Sequence, residues 1–431
     1  MNRAAFIALI VIIALTVLVE DTAAQSAERL TLKDAKQIAL GNHPQINAAV
    51  FRARAARINI TETRSAFMPN VSAGVTGAEA EDGSRIAAGA LNNPIILSRY
   101  ANGISFSQLI TDFGRTSALV GSSELRARAE SERVDATREQ VLLDVDRAYL
   151  SALGAQALLK VSEQTVAARQ DVLDQVNAMA KSGLKSGLDV SFAQVNLAEA
   201  KLLLIRSQNR LSAAYADLAA AIGYDTDIRY ELVEEPMPPP MPPDMSGLVK
   251  EALRARPDLK SMRFDLDSAF KFADAERMLR FPTISAVGSF GLIPFRVSAL
   301  QSNYAAAGLT VNIPLFNGRL FSARREEAEL RARAIEQNVR DSENHVTRNV
   351  RVAWLNASSA FQNLDVTSQL VVQANNALDL AEARYKLGLS SIAELSQAQL
   401  NKTEADIALA SARYEYQIRR AELDYQVGTL H

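Results

Sequence analysis

The sequence of 431 residues predicts a mainly α-helical protein with a smaller transmembrane β part. Three observations support this fold class. The two halves of the chain match each other at several points, which indicates a duplicated unit. Each half contains one very long stretch without proline that has the apolar spacing of a coiled-coil helix. Each half also contains two short stretches in which apolar and polar residues alternate, as in β-strands. We therefore expect two repeats of a strand hairpin followed by a long helical hairpin.

The N-terminus is typical of an export signal. Arg3 precedes an apolar run from Ala4 to Val19, and the small residues Thr22 to Ala24 suit signal peptidase. We interpret residues 1–24 as a cleaved signal peptide. The run is short for a membrane-spanning helix, which needs about 20 residues, and an uncleaved anchor is the alternative. Because the chain has no cysteine, we expect neither disulfides nor a lipid-modified N-terminal cysteine.

The composition gives no indication of an enzyme or of a nucleic-acid partner. With 47 Lys and Arg against 49 Asp and Glu, the net charge is -2. The three histidines are scattered, without the spacing of a metal site or a catalytic triad. No glycine-rich phosphate-binding pattern is present. We therefore predict no catalytic residues, no metal and no cofactor. A hydrolase with paired carboxylates is the enzymatic alternative, and pump-independent turnover lost in Asp189→Ala would support it.

The internal repeat sets the domain organisation. We assign residues 25–234 to the first copy and 247–431 to the second. Between them, the proline-rich residues 235–246 cannot form a helix or a central strand, so we expect an extended linker. The matching segments, at separations of 213 and then 205 positions, are 42–46 with 255–259, 67–71 with 280–284, and 193–200 with 398–405.

The strands are predicted from a period of two. In the second copy, for example, Leu309 and Val311 alternate with Thr310 and Asn312. Strands of about ten residues suit a tilted membrane barrel, in which alternate side chains face lipid and lumen. Four strands cannot close a barrel alone, and a bilayer tolerates no open sheet edge, so several copies must combine. The predicted strands are about 70–83, 100–110, 283–292 and 302–313.

The long helices are predicted over about 116–182 and 319–387. At 1.5 Å per residue each would be about 100 Å long. Apolar and small residues recur at alternating spacings of four and three, which specifies a left-handed coiled coil. The first of these seams consists of Val141, Val145, Ala148, Ala152, Ala155, Leu159, Ser162, Val166, Arg169, Leu173, Val176 and Ala180, and the second has the same register 205 positions later, from Val346 to Tyr385.

Each long helix is predicted to stop at a glycine, Gly183 or Gly388, which can adopt the left-handed C-cap conformation. Return helices then follow over about 188–222 and 392–427. They are about half as long as the outgoing helices. The segments 44–66 and 257–279 can supply the missing halves, and each begins with a proline in its first turn, where proline is tolerated.

The order of these elements, given twice, resembles the TolC family of outer-membrane factors. The similar segments cover nearly the whole chain after residue 29. They are Leu30–Ala35, Ala39–Pro44, Pro314–Arg319, the turn Tyr385–Ser391 and the closing Gly428–Leu430.

The resemblance implies a homotrimer in the outer membrane, with a twelve-stranded β-barrel joined to a twelve-helix tunnel in the periplasm. It implies a passive exit duct for drugs, other small molecules or proteins, which an inner-membrane transporter and a periplasmic adaptor deliver in efflux or type I secretion. In the family the adaptor docks at the two helical turns. The matching residues here are Gly183, Leu184, Ser186, Gly388, Leu389 and Ser391. The alternative is that both turns are simply helix caps.

The resemblance also places Asp189, Tyr385 and Glu394 near a periplasmic constriction. Threefold symmetry would turn each acid into a ring of three carboxylates that attracts cations. The alternative is that acids in a first helical turn interact favourably with the helix dipole. Ser390 and Gln397 stand where the best-known member of the family has a closing arginine and a second acid, so the closing contacts are expected to differ.

A second function remains open from the residues alone. The chain could be a soluble periplasmic coiled-coil scaffold or adaptor, with the alternating stretches forming a small exposed sheet. Cell fractionation distinguishes the two, because a scaffold stays with the soluble periplasm. The sequence leaves the transported substrate, the class of pump and the resting state of the tunnel tip open.

Overall fold

The computed structural model describes residues 29–81, 83, 84, 95, 97–224, 230–241 and 244–430, so the predicted signal peptide lies outside the described residues. Among the described residues, no helix is both long enough and apolar enough to span a bilayer. The helices are α1 (Leu32–Asn42), α2 (Pro44–Arg64), α3 (Arg115–Lys181), α4 (Gly187–Ile222), α5 (Met245–Ala255), α6 (Pro257–Met278), α7 (Leu320–Lys386) and α8 (Ile392–Val427). The strands are β1 (Arg29–Leu30), β2 (Asn70–Ala78), β3 (Arg99–Thr111), β4 (Glu231–Leu232), β5 (Thr283–Arg296) and β6 (Asn303–Asn312).

Three boundaries differ from the prediction. Strand β2 ends at Ala78, five residues before the predicted 83, and Gly83 has a turn conformation with φ of +79°. Strand β5 continues to Arg296 through Pro294. This is tolerated because β6 pairs with β5 only as far as Leu292, so the N–H that proline lacks is not needed on that side. The predicted linker 235–246 is also too long, because α5 begins within it.

The start of α5 is fixed by a cap at Asp244, whose carboxylate accepts a hydrogen bond of 2.9 Å from the backbone N–H of Ser246. Capping of this kind satisfies a helix N–H that has no partner within the helix. The proline-rich composition of this segment does not indicate that a helix begins here. Two of the linker prolines, Pro242 and Pro243, lie outside the described residues.

The predicted coiled-coil seams are confirmed, because none of their positions in α3 or α7 is exposed. The polar interruptions at Ser162 and Thr367 need no partner from another helix. The Ser162 hydroxyl donates to the carbonyl of Leu159 at 2.7 Å, and the Thr367 hydroxyl donates to that of Leu364 at 3.1 Å. Each hydroxyl therefore satisfies its donor within its own helix, as serine and threonine commonly do.

Strands β2, β3, β5 and β6 form one antiparallel sheet in that order. The hairpin of the first repeat thus joins the hairpin of the second through β3 and β5. The register places one set of side chains on each face of the sheet. The apolar face carries Val71, Val75, Ile104, Phe106, Phe290, Leu309 and Val311, and the opposite face carries Ser72, Ser105, Ser289, Tyr304 and Thr310. The alternation predicted for the strands is present across the sheet.

The chain divides into two compact units that cut across the repeats. Of the described residues, one unit contains those up to His43 and those within 141–243 and 353–423. The other unit contains the described residues within 44–140 and 244–352 and those from Asp424 onward. The sheet belongs to the second unit and both glycine turns belong to the first. Because each unit takes segments from both copies, a repeat of the sequence is not a separate spatial domain.

The end of each return helix packs in the same way in both copies. The C-cap Gly223 has φ of +87°, and a Cβ there would lie 3.2 Å from the Cα of His43. Gly428 has φ of +78°, and a Cβ there would lie 3.2 Å from the backbone nitrogen of Arg256. His43 and Arg256 both precede the proline that opens the next helix. Glycine is needed at each joint for its left-handed conformation and for the close approach of the backbone.

Glu139 of α3 is expected to make the stability of the folded protein depend on pH. Burial raises its pKa to about 7, while the nearby Arg256 charge opposes the shift and the Asp258 charge adds to it. A carboxyl group with a raised pKa favours the folded state fully below its unfolded pKa, and this contribution is lost as the pH rises to about 7. We expect the thermal midpoint of the native protein to fall from pH 5 to pH 8 relative to that of Glu139→Gln.

The matched control for this measurement is Glu163→Gln, which removes an exposed acid from the same helix. Its midpoint should follow that of the native protein at every pH. If Glu139→Gln does the same, Glu139 does not titrate in this range.

Candidate functional site

The two glycine turns have the same backbone geometry. Gly183 and Gly388 have φ of +75° and +77°, which is the left-handed C-cap conformation predicted for both. In the first turn, the N–H of Leu184 donates to the carbonyl of Met179 at 2.9 Å. In the second, the N–H of Leu389 donates to that of Arg384 at 2.8 Å. This is the Schellman arrangement, which satisfies carbonyls at a helix end.

Both turns lie at the same end of one apolar cluster. The ends of α3 and α7 and the beginnings of α4 and α8 contribute to it. Lys185 crosses from the first turn to the second hairpin, where its ammonium lies 4.0 Å from the centre of the Tyr385 ring. The buried members of the cluster are Leu173, Val176, Ala193, Leu197, Ala381, Tyr385, Ile392, Leu395 and Ala398.

The outer surface of the turns is apolar. Leu184 is 74% exposed and Leu389 is 66% exposed, and the neighbouring Leu188 and Leu387 are exposed as well. Leucine side chains left in water at the end of a helical bundle are a usual sign of a surface that a partner covers. All six residues predicted for adaptor docking are exposed at the two turns, and their role in docking stays a prediction.

The acids at the two turns have different local partners. The Asp189 carboxylate accepts hydrogen bonds from the backbone N–H and the hydroxyl of Ser186, at 2.9 and 2.8 Å, and these bonds lower its pKa. This is a capping box. Glu394 instead lies 3.1 Å from the guanidinium of Arg384, at the end of α7. Asp189 is therefore held by its own helix start, while Glu394 connects two helices.

We expect Ser186→Ala to destabilise the start of α4 by about 1 kcal/mol at neutral pH. Because the pKa of Asp189 is lowered in the folded state, its contribution is present above the unfolded pKa and is lost as the pH falls through the folded one. The difference from the native protein should therefore shrink below about pH 4. Hydrogen–deuterium exchange of the first turn of α4 measures it.

The control is Ser182→Ala. The Ser182 hydroxyl donates to the carbonyl of Ala178 and caps no helix start. Equal exchange in the two variants would mean that the Ser186 cap does not hold this turn.

Tyr385 has a different environment from the two acids. Its side chain is 1% exposed, and its hydroxyl is buried without a hydrogen-bond partner in the described part of the chain. Burial raises its pKa, and the nearby Asp189 charge adds to the shift. Within one chain, Tyr385 lies in the apolar cluster, whereas Glu394 is exposed and Asp189 is half-buried. The role of these three residues in a constriction stays a prediction.

The sequence patterns predict neither the contact of Lys185 with Tyr385 nor that of Arg169 with Gln399. The structure places Arg169 against Gln399 of α8, where its guanidinium donates to the amide oxygen. One signal could have revealed it, because the counterpart of Arg169 in the second copy is Ala374, so the charge is present on one seam only.

No metal centre is present among the residues that the structure describes, because no three histidine or acidic side chains there are arranged to hold an ion. Several acids of the long helices pair with arginines of the same helix, for example Glu329 with Arg325 at 2.7 Å. Such pairs stabilise a helix surface.

The sequence is similar to those of known outer membrane proteins. A family model described as outer membrane efflux protein matches residues 35–224 and 248–429. The outer membrane protein OprJ of Pseudomonas aeruginosa is 25% identical over 397 residues, covering 91% of this chain and 82% of OprJ. The outer membrane protein TolC of Escherichia coli is 23% identical over 403 residues, covering 90% of this chain and 80% of TolC.

Solved structures share the fold. The structure of CusC superposes with a TM-score of 0.80 at 20% identity, over 92% of each chain. The open state of the MtrE outer membrane channel of Neisseria gonorrhoeae superposes with a TM-score of 0.76 at 21% identity, over 92% of this chain and 88% of MtrE. Both copies of the repeat are included in matches of this extent.

Proposed function

Because the chain belongs to the outer membrane efflux protein family, we propose that it is the passive outer-membrane exit duct of a tripartite efflux or type I secretion system. The observation that carries this proposal is the family match over both copies of the repeat. The duct does no chemistry of its own. An inner-membrane transporter supplies the energy, and a periplasmic adaptor connects the two.

The sheet supports assembly into a barrel. In the part of the chain that the structure describes, β2 and β6 each have a partner on one side only. One face of the sheet is apolar and the other carries serines and threonines, as expected for strands between lipid and a water-filled lumen. Open edges are not stable in a bilayer. Three copies, each giving four strands, form a twelve-stranded barrel, and their long and return helices form the periplasmic tunnel.

The turns are the proposed docking surface for the adaptor. Leu184 and Leu389 offer apolar side chains next to the two left-handed glycines, and Ser186 and Ser391 begin the return helices. A helical hairpin of the adaptor would cover the leucines and exclude water from them, which is the main source of affinity in such contacts.

The proposed constriction lies just behind this surface. Asp189 and Glu394 give rings of negative charge in a trimer, and Tyr385 joins the two hairpins beneath them. The ion pair between Glu394 and Arg384 and the contact of Lys185 with Tyr385 hold the turns together within one chain. Opening the tip requires these contacts to rearrange.

Site-specific crosslinking tests the proposal. The chain has no cysteine, so Ser186→Cys and Ser391→Cys each introduce a single reactive thiol. In cells, both variants should fractionate with the outer membrane and crosslink to an adaptor that copurifies with its transporter. Ser151→Cys is the control, because Ser151 is exposed on α3 away from the turns and should capture no adaptor.

Recovery of a monomer from the soluble periplasm would instead support the scaffold alternative. The family match does not favour that alternative, because the relatives are outer membrane proteins.

A further inference from the structure

Arg169 is a buried cation without a neutralising partner. Its side chain lies in the seam of α3 and is 7% exposed. Its bonded partner is the uncharged amide oxygen of Gln399. No carboxylate among the described residues lies within ion-pair distance of it, and Glu199 acts on it only through its charge at longer range. Burial lowers the pKa of Arg169, since desolvation disfavours the charged form. Arginine is almost never buried this deeply unless it is paired.

A cavity of about 170 Å³ adjoins this guanidinium between α3, α7 and α8. Its polar lining includes the amides of Gln164 and Gln399 and the ammonium of Lys402. These groups can donate hydrogen bonds to a negatively charged atom.

The acids of the cavity are already engaged by lysines. Asp406 is bonded to Lys402, and Glu382 lies 3.7 Å from the ammonium of Lys386. Neither acid is thus left to neutralise Arg169. The excess positive charge of the cavity comes from the buried guanidinium.

The second copy of the repeat shows that packing does not require this charge. The counterparts of Arg169 and Lys402, 205 positions away, are Ala374 and Leu197, and both are buried. Gln399, in contrast, has the equivalent Gln194. The equivalent positions are therefore small or apolar and buried in one copy, and charged beside a cavity in the other. A specific role for the charged version explains this difference.

We propose that this cavity binds a small inorganic anion, such as a halide or a phosphate, through the guanidinium of Arg169. The amide N–H groups of Gln164 and Gln399 and the ammonium of Lys402 complete the site. Charge-assisted hydrogen bonds to an arginine are among the stronger polar contacts in proteins. An anion bound here joins α3 to α8 and offsets the cost of the buried charge. The proposal does not depend on the transport function, because it concerns one chain and its stability.

Thermal unfolding of the purified full-length protein in sodium chloride and in sodium gluconate, at equal ionic strength, tests the site. Gluconate is a much larger anion than chloride, so a site formed around one buried guanidinium should discriminate between the two. The midpoint should rise with chloride concentration for the native protein, since a ligand that binds only the folded state stabilises it. The rise should be absent in Arg169→Ala, which copies the arrangement of the second repeat and should therefore fold. Lys160→Ala, which removes an exposed cation from the same helix, should behave like the native protein.

A crystal soaked in bromide provides an independent readout, with an anomalous peak expected beside Arg169 and missing in Arg169→Ala. Equal midpoints of the native protein in both salts, together with no peak in the cavity, would overturn the proposal. So would an equal loss of stability of Arg169→Ala in both salts, which would mean that a carboxylate of a neighbouring copy neutralises the arginine.

Discussion

Gly291→Ala is expected to prevent normal assembly of the sheet. A methyl group at this position of β5 would lie 2.2 Å from the carbonyl oxygen of Asn102 and 2.7 Å from the Cα of Gly103. Both are backbone atoms of β3, so no side-chain rotation can relieve the clash. The strand pair β3 and β5 is the junction of the two repeats, and it must separate locally to admit the methyl group.

We expect a loss of stability at or above the upper end of the about 1–3 kcal/mol typical of overpacked sites. Two quantities are measured. One is the thermal midpoint of the purified protein, monitored through the β signal in circular dichroism, and the other is the yield of protein in the outer-membrane fraction. Both should fall clearly below the native values.

Two further variants separate backbone clash from side-chain crowding. Gly308→Ala on the neighbouring strand is the control, because a Cβ there meets no atom within 4 Å. The three atoms nearest to a Cβ at Gly288 all belong to the ring of Phe106, the closest at 2.2 Å, so Phe106→Ala should restore the stability of Gly288→Ala. Tyr304→Ala should not rescue Gly291→Ala, although the Tyr304 ring also lies 2.7 Å from the added methyl group. Native stability of Gly291→Ala would contradict the register of β3 and β5.

Tyr149→Phe is expected to loosen the contact between the start of the chain and the linker. The Tyr149 side chain is fully buried, and its hydroxyl lies 2.7 Å from the carbonyl of Leu30 and 2.8 Å from that of Val233. It also accepts a hydrogen bond of 3.0 Å from the N–H of Val233. These groups flank the short parallel pair of β1 and β4. One hydroxyl thus joins two segments that are about 200 residues apart.

The hydroxyl carries one proton, so its removal takes away the donor that the two carbonyls share and an acceptor of the Val233 N–H, at a cost of about 1–2 kcal/mol. Hydrogen–deuterium exchange of peptides that cover β1 and β4 should become faster, and the thermal midpoint should fall. Tyr100→Phe is the control, because Tyr100 makes a ring contact with Phe295 that phenylalanine keeps. Unchanged exchange in Tyr149→Phe would show that the pairing of β1 and β4 does not depend on this hydroxyl.

Much of the architecture could be predicted from local sequence patterns. The long helices α3 and α7 follow from the missing prolines and the regular seam, and each boundary falls within one residue of the prediction. The glycine caps follow from a residue type that alone adopts the left-handed conformation at low cost. The strand pattern also held, apart from the ends of β2 and β5. The start of α5 was not predicted, because it depends on one hydrogen bond from the backbone N–H of Ser246 to the Asp244 carboxylate, directly after a proline-rich stretch.

The site was readable only in part. The six residues predicted for docking follow from the resemblance, and the structure shows that all six are exposed. The burial of Tyr385, the contact of Lys185 with its ring and the position of Arg169 against Gln399 could not be inferred, because each joins segments far apart in the chain.

The sequence by itself determined the duplication, the helix lengths, the buried seams and the two faces of the strands. These properties depend on neighbours within a few residues, so a periodic pattern records them directly. The tertiary structure alone decided which strands join the two hairpins, which glycine leaves room for the backbone of a neighbouring strand and which buried charge has no oppositely charged partner. A periodic pattern of apolar residues shows that one face of an element is buried. The residues that cover this face come from distant parts of the chain, so the local sequence does not identify them.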